Sequence, residues 1–181
     1  MKSAGTTHKA WRLEQVVAGG QTGVDRAALD VALELGISCG GWCPKGRRAE
    51  DGSIPESYPL KESPTANYAE RTALNVKDSE GTLILSLGSL RGGTALTKTF
   101  AERYRRPFLV VDLRNATTQQ VHDWLEANSI RVLNVAGPRE SSQPGIARQA
   151  AAFLRMVLGQ TSPTRKRGIV LKTPRVRVGL V

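Results

Sequence analysis

Positions 19–25, with the sequence GGQTGVD, hold the first group of residues suited to binding chemistry. Glycines let a backbone approach an anion closely, and the free amides at the start of a helix bind phosphate. Thr22 can donate its hydroxyl to that phosphate, and Asp25 can cap the helix or hold a sugar hydroxyl or a cation. The segment follows a predicted strand and opens a predicted helix. We therefore favour phosphate binding over a plain tight turn, although the spacing is neither Walker A nor GxGxxG. The candidate ligands are Gly19, Gly20, Gln21, Thr22, Gly23 and Asp25.

Two further segments have the same strand–glycine–helix context. In residues 86–94, SLGSLRGGT, the glycines would form an anion-binding nest and Arg91 would clamp a phosphate through its planar fork. Residues 134–141, NVAGPRES, end another predicted strand, but a Gly-Pro turn with polar residues is common by itself. The candidate ligands in these segments are Ser89, Arg91, Gly92, Gly93, Thr94, Gly137, Arg139, Glu140 and Ser141.

Residues 42–65 contain four prolines and two glycines, which excludes one regular element and predicts a long loop. Lys45, Gly46 and Arg47 in this loop suit an anionic ligand. Trp42 can stack on a planar ring, although a single tryptophan is as often a core residue. On the helix predicted to follow, Arg71 and Asn75 share one face and can point at the same pocket, while Asp78 caps the helix end. The four loop positions Trp42, Lys45, Gly46 and Arg47 add to the candidate site, and the helix face supports the loop.

Catalytic and metal-binding residues are not assigned. Cys43 has no histidine nearby in the sequence to activate it as a nucleophile. Cys39 and Cys43 could bind zinc only with ligands from elsewhere, and the sequence has no second Cys/His pair. Two reduced thiols are therefore expected, as in a protein of a reducing compartment.

Five predicted strands alternate with five predicted helices. The strands are 13–18, 37–41, 82–87, 107–111 and 131–135, and the helices are 24–35, 66–77, 92–104, 117–127 and 143–158. Strands that alternate with helices of this length form a parallel sheet with right-handed crossovers. Ligands of such sheets bind beyond the carboxyl ends of the strands, where the three glycine segments lie. The sequence thus predicts an α/β ligand-binding domain at 13–160, a flexible N-terminus at 1–12 and a loose tail at 161–181, in which 169–171 and 176–181 could instead form strands.

The charge distribution argues against nucleic-acid binding. The net charge is +10, but residues 161–181 hold six basic residues and no acid, while 16–160 hold 17 basic and 15 acidic residues. Since no aromatic residues interleave with the basic tail, we favour a solvated appendage over a nucleic-acid interface. No apolar run approaches the roughly 20 residues that a membrane span needs. The polar N-terminus makes a secretory signal unexpected, so a cytoplasmic location is predicted.

Three stretches of the sequence resemble a known family: residues 19–26, residues 41–52 with the WCPKGR run, and residues 134–141. Over about residues 14–158 the chain resembles the molybdenum cofactor carrier proteins, which are similar to the LOG-type, lysine-decarboxylase-like superfamily. The resemblance implies a Rossmann-like, doubly wound, mainly parallel sheet of about five or more strands with helices on both faces. It also implies a homo-oligomer that binds molybdopterin, the organic part of the molybdenum cofactor, or a nucleotide-like anion.

One departure from the superfamily pattern concerns catalysis. The LOG-type phosphoribohydrolases carry PGGxGTxxE, whereas residues 90–97 here read LRGGTALT, without the proline and the glutamate. The resemblance leaves phosphate binding intact but puts cleavage of an N-glycosidic bond in doubt. We therefore expect a carrier of molybdenum cofactor, or of a similar phosphate-bearing small molecule, with a molybdoenzyme as a candidate acceptor.

Two alternatives stay open. The chain could be a nucleotide-binding sensor, or a nucleoside-phosphate hydrolase that uses one of the carboxylates Asp25, Glu50, Asp51 or Glu140. A raised pKa at one of these groups would favour the hydrolase. The fold does not separate these functions, because this architecture hosts many activities.

Overall fold

The computed structural model describes residues 11–161. Most of the predicted N-terminal extension and nearly all of the predicted tail, with its two candidate strands, lie outside the described residues. The strands are β1 (Gln15–Val17), β2 (Ser38–Gly40), β3 (Trp42–Cys43), β4 (Arg48–Ala49), β5 (Gly52–Ser53), β6 (Lys61–Glu62), β7 (Gly81–Ser86), β8 (Phe108–Asp112) and β9 (Val132–Ala136). The helices are α1 (Val24–Glu34), α2 (Tyr68–Lys77), α3 (Gly92–Arg103), α4 (Thr118–Ala127) and α5 (Ile146–Thr161).

Five strands form one parallel sheet in the order β2-β1-β9-β7-β8. Strand β7 is buried along its whole length, as expected for a continuous apolar run inside a parallel sheet. The predicted α/β, Rossmann-like fold is confirmed. Strand β9, the last in the sequence, inserts between β1 and β7 at the middle of the sheet.

The helices cover both faces of the sheet. Helix α5 packs on α1 and α4, and α2 packs on α3. Right-handed crossovers place α1, α4 and α5 on one face and α2 and α3 on the other. The chain therefore leaves β9 and β7, which are neighbours, toward opposite faces. This is the topological switch point at which a doubly wound sheet opens a crevice. None of the helices within residues 11–161 is long and apolar enough to cross a membrane.

Local sequence signals set the helix ends. Asn67 caps α2 by accepting a hydrogen bond from the Ala69 amide at 2.9 Å, so this helix begins two residues later than predicted. Thr117 caps α4 in the same way through the Gln120 amide. Gly36 follows the end of α1 with a φ of 65°, the left-handed conformation that the predicted glycine stop requires.

The segment 42–65 is a long connection braced from inside rather than a loose loop. It contains two minimal pairs, β3 with β6 in parallel and β4 with β5 antiparallel. The buried Arg47 guanidinium donates hydrogen bonds to the carbonyl oxygens of Ile54, Pro55, Tyr58 and Leu60 at 2.7–3.3 Å. Because one fixed cation satisfies four carbonyls, the segment can hold a single conformation without a long regular element.

Candidate functional site

A cavity of about 690 Å³ lies at the switch point, beyond the carboxyl ends of β7 and β9. Its size falls in the range of small-molecule sites. The strand ends contribute Ser86, Leu87, Ala136 and Gly137. Three further elements line it: the start of α3, the first half of α2 and the turn before α1. The start of α3 and the turn before it contribute Ser89, Arg91, Gly92, Gly93 and Thr94. Helix α2 contributes Tyr68, Arg71 and Thr72, and the chain around the start of α1 contributes Gln21 and Asp25. The β9–α5 connection contributes Arg139, Ser142 and Gln143.

The N-terminus of α3 opens on this cavity without a side-chain cap. Arg91 occupies the N-cap position in an extended conformation, and its side chain makes no capping hydrogen bond. The Arg91 carbonyl accepts from the Thr94 and Ala95 amides, and helical geometry gives the amides of Gly92 and Gly93 no partner within the helix. No residue among 11–161 forms a salt bridge with Arg91. A positive helix end and an unpaired guanidinium thus face the same space.

Neither backbone conformation nor packing within the protein requires a glycine at position 93. Its φ lies outside the left-handed region, and a Cβ added there would meet no atom within 4 Å. By contrast, a Cβ on Gly137 would approach the Leu85 carbonyl oxygen to 2.6 Å, and one on Gly23 would approach the Pro138 oxygen to 2.3 Å. Close packing therefore accounts for Gly23 and Gly137, whereas the backbone at Gly93 faces open space in which a ligand can approach it.

Asp25, Arg71 and Gln21 form the floor of the cavity. The Arg71 Nη1 atom donates to Asp25 Oδ2 at 3.1 Å, and the backbone amide of Gln21 donates to the same oxygen at 3.3 Å. Asp25 is almost completely buried, and this burial raises its pKa although the Arg71 charge acts in the opposite direction. Asp25 is the carboxyl group of the cavity lining, and it holds its proton more tightly than an aspartate in water does.

Two buried donors on this floor have no hydrogen-bond partner in the described part of the protein: Gln21 Nε2 and Arg71 Nε. The Gln21 amide is oriented by its oxygen, which accepts from the backbone amides of Thr22 and Glu50, each at 3.0 Å. This fixes the nitrogen as the free end of the side chain. Buried donors are nearly always paired, so two orphans in one cavity indicate a missing acceptor.

Contacts between elements frame the mouth of the cavity. The Arg139 guanidinium lies over the Tyr68 ring, 5.2 Å from its centroid, and joins the β9–α5 connection to α2. The Gln143 side chain accepts from the Leu87 amide at 3.3 Å and donates to the Leu87 carbonyl at 3.0 Å. This pair of hydrogen bonds holds the residue after β7 against the segment that leads into α5.

Several predicted ligands brace the loops instead of lining the cavity. The Glu50 carboxylate accepts hydrogen bonds from the hydroxyls of Thr22 and Ser141 and from the Ser141 amide. Burial raises the pKa of Glu50, but these hydrogen bonds outweigh burial and hold its pKa below the usual value. The Glu140 carboxylate accepts from the Gly145 and Ala147 amides at the start of α5.

The structure also does not bring the predicted residues of the long connection to the cavity. The Arg47 guanidinium binds the four backbone carbonyls described above, and Lys45 and Gly46 lie outside the cavity lining. Trp42 donates from Nε1 to Asp78 Oδ2 at 2.8 Å. The Asn75 side chain bonds to both backbone groups of Trp42, so it supports this loop and does not point at the cavity.

The glycines of the first segment have structural roles as well. A Cβ on Gly19 would lie 1.6 Å from Arg71 Nη1, so Arg71 crosses directly over this glycine. Gly20 packs under Leu60 and Ile54 with a φ of 75°. Of the first segment, only Gln21 and Asp25 reach the cavity.

Sequence reasoning missed Tyr68, Thr72, Ser86 and Gln143. Tyr68 lies three residues before Arg71 and four before Thr72 on α2, so helical spacing from Arg71 to Tyr68 and then to Thr72 could have identified both. Ser86 is the last residue of the buried strand β7, which is another usable signal. Gln143 carries no such signal. In residues 11–161 no cluster of three or more His, Cys, Asp or Glu side chains is placed to hold a metal ion.

Comparisons with known proteins agree with this fold. The sequence model of the circularly permutated YpsA SLOG family matches residues 16–158. A crystal structure from Syntrophus aciditrophicus, described as a "putative molybdenum carrier protein", is 46% identical with a TM-score of 0.78, over 81% of this chain and 96% of that chain. No protein with a curated description matches the chain.

The strand order itself shows the permutation. If β9 is counted as the first strand, the observed order β2-β1-β9-β7-β8 becomes 3-2-1-4-5, the usual arrangement of a doubly wound nucleotide-binding sheet. The cavity then lies between strands 1 and 4, where such sheets bind their ligands. Since the match extends over most of the chain and the topology agrees with it, this protein belongs to the circularly permutated YpsA SLOG family.

Proposed function

We propose that this protein binds molybdopterin cofactor, or a closely similar phosphate-bearing ligand, in the cavity between β7 and β9. It would hold the ligand for transfer to an acceptor such as a molybdoenzyme. A homo-oligomeric state and a cytoplasmic location stay predictions of the family resemblance and of the sequence composition. The observation that carries the proposal is the uncapped N-terminus of α3, with Arg91 beside it and open space over Gly93.

The residues present fit such a ligand. A phosphate monoester needs several donors and positive charge, which the free amides of Gly92 and Gly93 and the Arg91 guanidinium would supply. The cavity lining contains three arginines and one carboxyl group, so its charge favours an anion. Tyr68 lines the cavity and would provide the aromatic surface that the sequence suggested for Trp42. The 46%-identical relative described as a molybdenum carrier supports the same class of ligand.

The test is co-purification. The protein is purified from a host that makes molybdenum cofactor, and the bound material is identified by native mass spectrometry together with metal analysis. We expect a retained pterin phosphate with molybdenum. The Arg91→Ala variant should retain at least about tenfold less, because one charge-assisted phosphate contact is lost.

Arg103→Ala is the matched control, since Arg103 is an exposed arginine at the opposite end of the same helix. It should retain the ligand like the wild type. Equal retention by wild type, Arg91→Ala and Arg103→Ala would show that the ligand is not held at the start of α3.

A second candidate function, a nucleoside-phosphate hydrolase, is favoured by Asp25. Of the four carboxylates considered, Glu50 and Asp51 have pKa values below the usual range, whereas burial raises the pKa of Asp25. A carboxyl group of this kind in the cavity could deliver a proton to a leaving base while water attacks the sugar. Thr97, at the position of the missing glutamate, donates to the Gly93 carbonyl at 2.9 Å and supplies no carboxylate.

Incubation with nucleoside 5′-monophosphates separates the two functions. A hydrolase releases free base and ribose 5-phosphate, and Asp25→Asn should abolish that release while retaining nucleotide binding. If the wild type releases no ribose 5-phosphate but retains pterin phosphate, the carrier function stands and the hydrolase is excluded.

A further inference from the structure

The floor of the cavity offers two donors to a ligand group other than the phosphate. Gln21 is 3% exposed, and its Nε2 is a buried donor without a partner in the described residues, as is Arg71 Nε. The Gln21 amide cannot turn over to present its oxygen, because that oxygen already accepts from two backbone amides. The floor therefore presents nitrogen donors, and their complement is an acceptor oxygen or an unprotonated ring nitrogen.

The two residues that carry these donors are linked through Asp25. The backbone amide of Gln21 and Arg71 Nη1 both donate to the same oxygen of Asp25, at 3.3 and 3.1 Å, so one carboxyl group holds residue 21 and the Arg71 side chain. Both residues also line the cavity. The residues that carry the two donors are thus held by one carboxyl group on the cavity floor.

The charges of the floor and of the α3 end differ. On the floor, the Arg71 charge is opposed by a carboxyl group in direct contact, and a second anion placed there would lie beside Asp25. At the start of α3, Arg91 carries no salt bridge among residues 11–161 and adds to a positive helix end. A dianionic phosphate is favoured at α3, and a neutral acceptor is favoured on the floor.

We propose that Gln21 and Arg71 recognise the ring carbonyl of a phosphate-bearing heterocycle, so that the cavity selects oxo-substituted rings over amino-substituted ones. This inference rests on the proposed function, because the phosphate at α3 directs the ring toward the floor. An exocyclic amino group at the same position would place a donor against two donors and leave all of them unpaired. Such a mismatch in a buried site gives strong discrimination.

The test uses IMP and AMP, purine nucleotides with the same sugar phosphate and with a carbonyl or an amino group at ring position 6. Binding is measured by calorimetric titration of the full-length protein. Wild type is expected to bind IMP at least about tenfold more tightly than AMP. Ribose 5-phosphate is titrated in parallel as a probe of the phosphate site alone.

Gln21→Glu replaces the free donor by an oxygen while keeping an oxygen for the Thr22 and Glu50 amides. It is expected to remove or reverse the preference for IMP. Arg71→Lys keeps a cation beside Asp25 but removes the Nε donor, and should reduce the preference several-fold. The matched control is Gln160→Glu, an exposed glutamine at the end of α5, which should leave the preference unchanged. Thermal unfolding of each variant establishes that it is folded.

The outcomes separate the two proposals. Equal affinity of wild type for IMP and AMP, or binding of ribose 5-phosphate without binding of IMP, would overturn the carbonyl recognition and leave the phosphate site standing. Failure of all three phosphates to bind would overturn both. A preference for IMP that Gln21→Glu leaves intact would also overturn the assignment to this floor.

Discussion

Arg71 reaches from α2 across Gly19 and places its Nη1 atom 3.1 Å from Oδ2 of Asp25 at the start of α1. This contact joins two helices that lie on opposite faces of the sheet, and it passes through the floor of the cavity. The pair positions Arg71 for a ligand, and it also explains why residue 19 is a glycine. A change at Gly19 should therefore disturb both the ligand site and the fold.

Gly19→Ala should weaken ligand binding more than any change at a glycine facing open space outside the cavity. The new Cβ would lie 1.6 Å from Arg71 Nη1 and 2.8 Å from Asp25 Oδ2, so the guanidinium must leave its place. We expect a loss of about 1–3 kcal/mol in the free energy of unfolding, measured by chemical denaturation. Gly159→Ala, in helix α5 with nothing within 4 Å, is the control and should be neutral or slightly stabilising. Equal effects of the two changes would contradict the placement of Arg71.

Gly93→Ala should weaken ligand binding without destabilising the fold. Since the residue is helical and the added Cβ meets no atom of the protein, the free energy of unfolding should be unchanged or rise by up to about 1 kcal/mol. Affinity for ribose 5-phosphate, measured by calorimetry, should nevertheless fall, because the methyl group occupies the space from which a phosphate approaches. An unchanged affinity would mean that the ligand does not approach Gly93.

Asp25 should make stability fall as pH rises. Burial raises the folded-state pKa of Asp25 above 3.8, so the folded protein binds this proton more tightly than the unfolded chain. The stabilising contribution is complete below about pH 3.8 and is lost as pH rises through the folded-state pKa. Chemical denaturation over a pH series should therefore show wild type losing stability relative to Asp25→Asn as pH increases. A relative gain of wild type over that range would mean that Arg71 outweighs burial.

Glu50 should show the reverse sign. Hydrogen bonds from Ser141 and Thr22 outweigh burial and lower its folded-state pKa below 4.5, so its contribution is present above pH 4.5 and is lost as pH falls through the folded-state pKa. The difference in free energy of unfolding between wild type and Glu50→Gln should shrink on acidification. Glu126→Gln, an exposed change on α4, is the control. A difference that does not depend on pH would show that Glu50 does not join these loops in solution.

Much of the fold followed from the sequence because its signals are local. The apolar run of β7, the glycine after α1 and the threonine before α4 each specify an element within a few residues of chain. The expectation that ligands bind beyond the carboxyl ends of the strands points to the edge of the sheet where the cavity lies, at the ends of β7 and β9.

The arrangement of side chains in the site did not follow from the sequence because it depends on distant partners. Glu50 meets Thr22 and Ser141 across 28 and 91 positions of sequence, and this contact withdraws both hydroxyls from the cavity. Trp42 turns to Asp78, and Arg47 turns to backbone carbonyls of its own segment. The insertion of β9 between β1 and β7 likewise has no local signal, since strand order depends on the packing of the whole sheet.

The most direct test of the account is a crystal structure of the protein with bound ribose 5-phosphate. The account predicts phosphate oxygens within hydrogen-bonding distance of the Gly92 and Gly93 amides and of the Arg91 guanidinium. A phosphate bound instead at the turn 19–23, or no phosphate between β7 and β9 at saturating ligand, would contradict it.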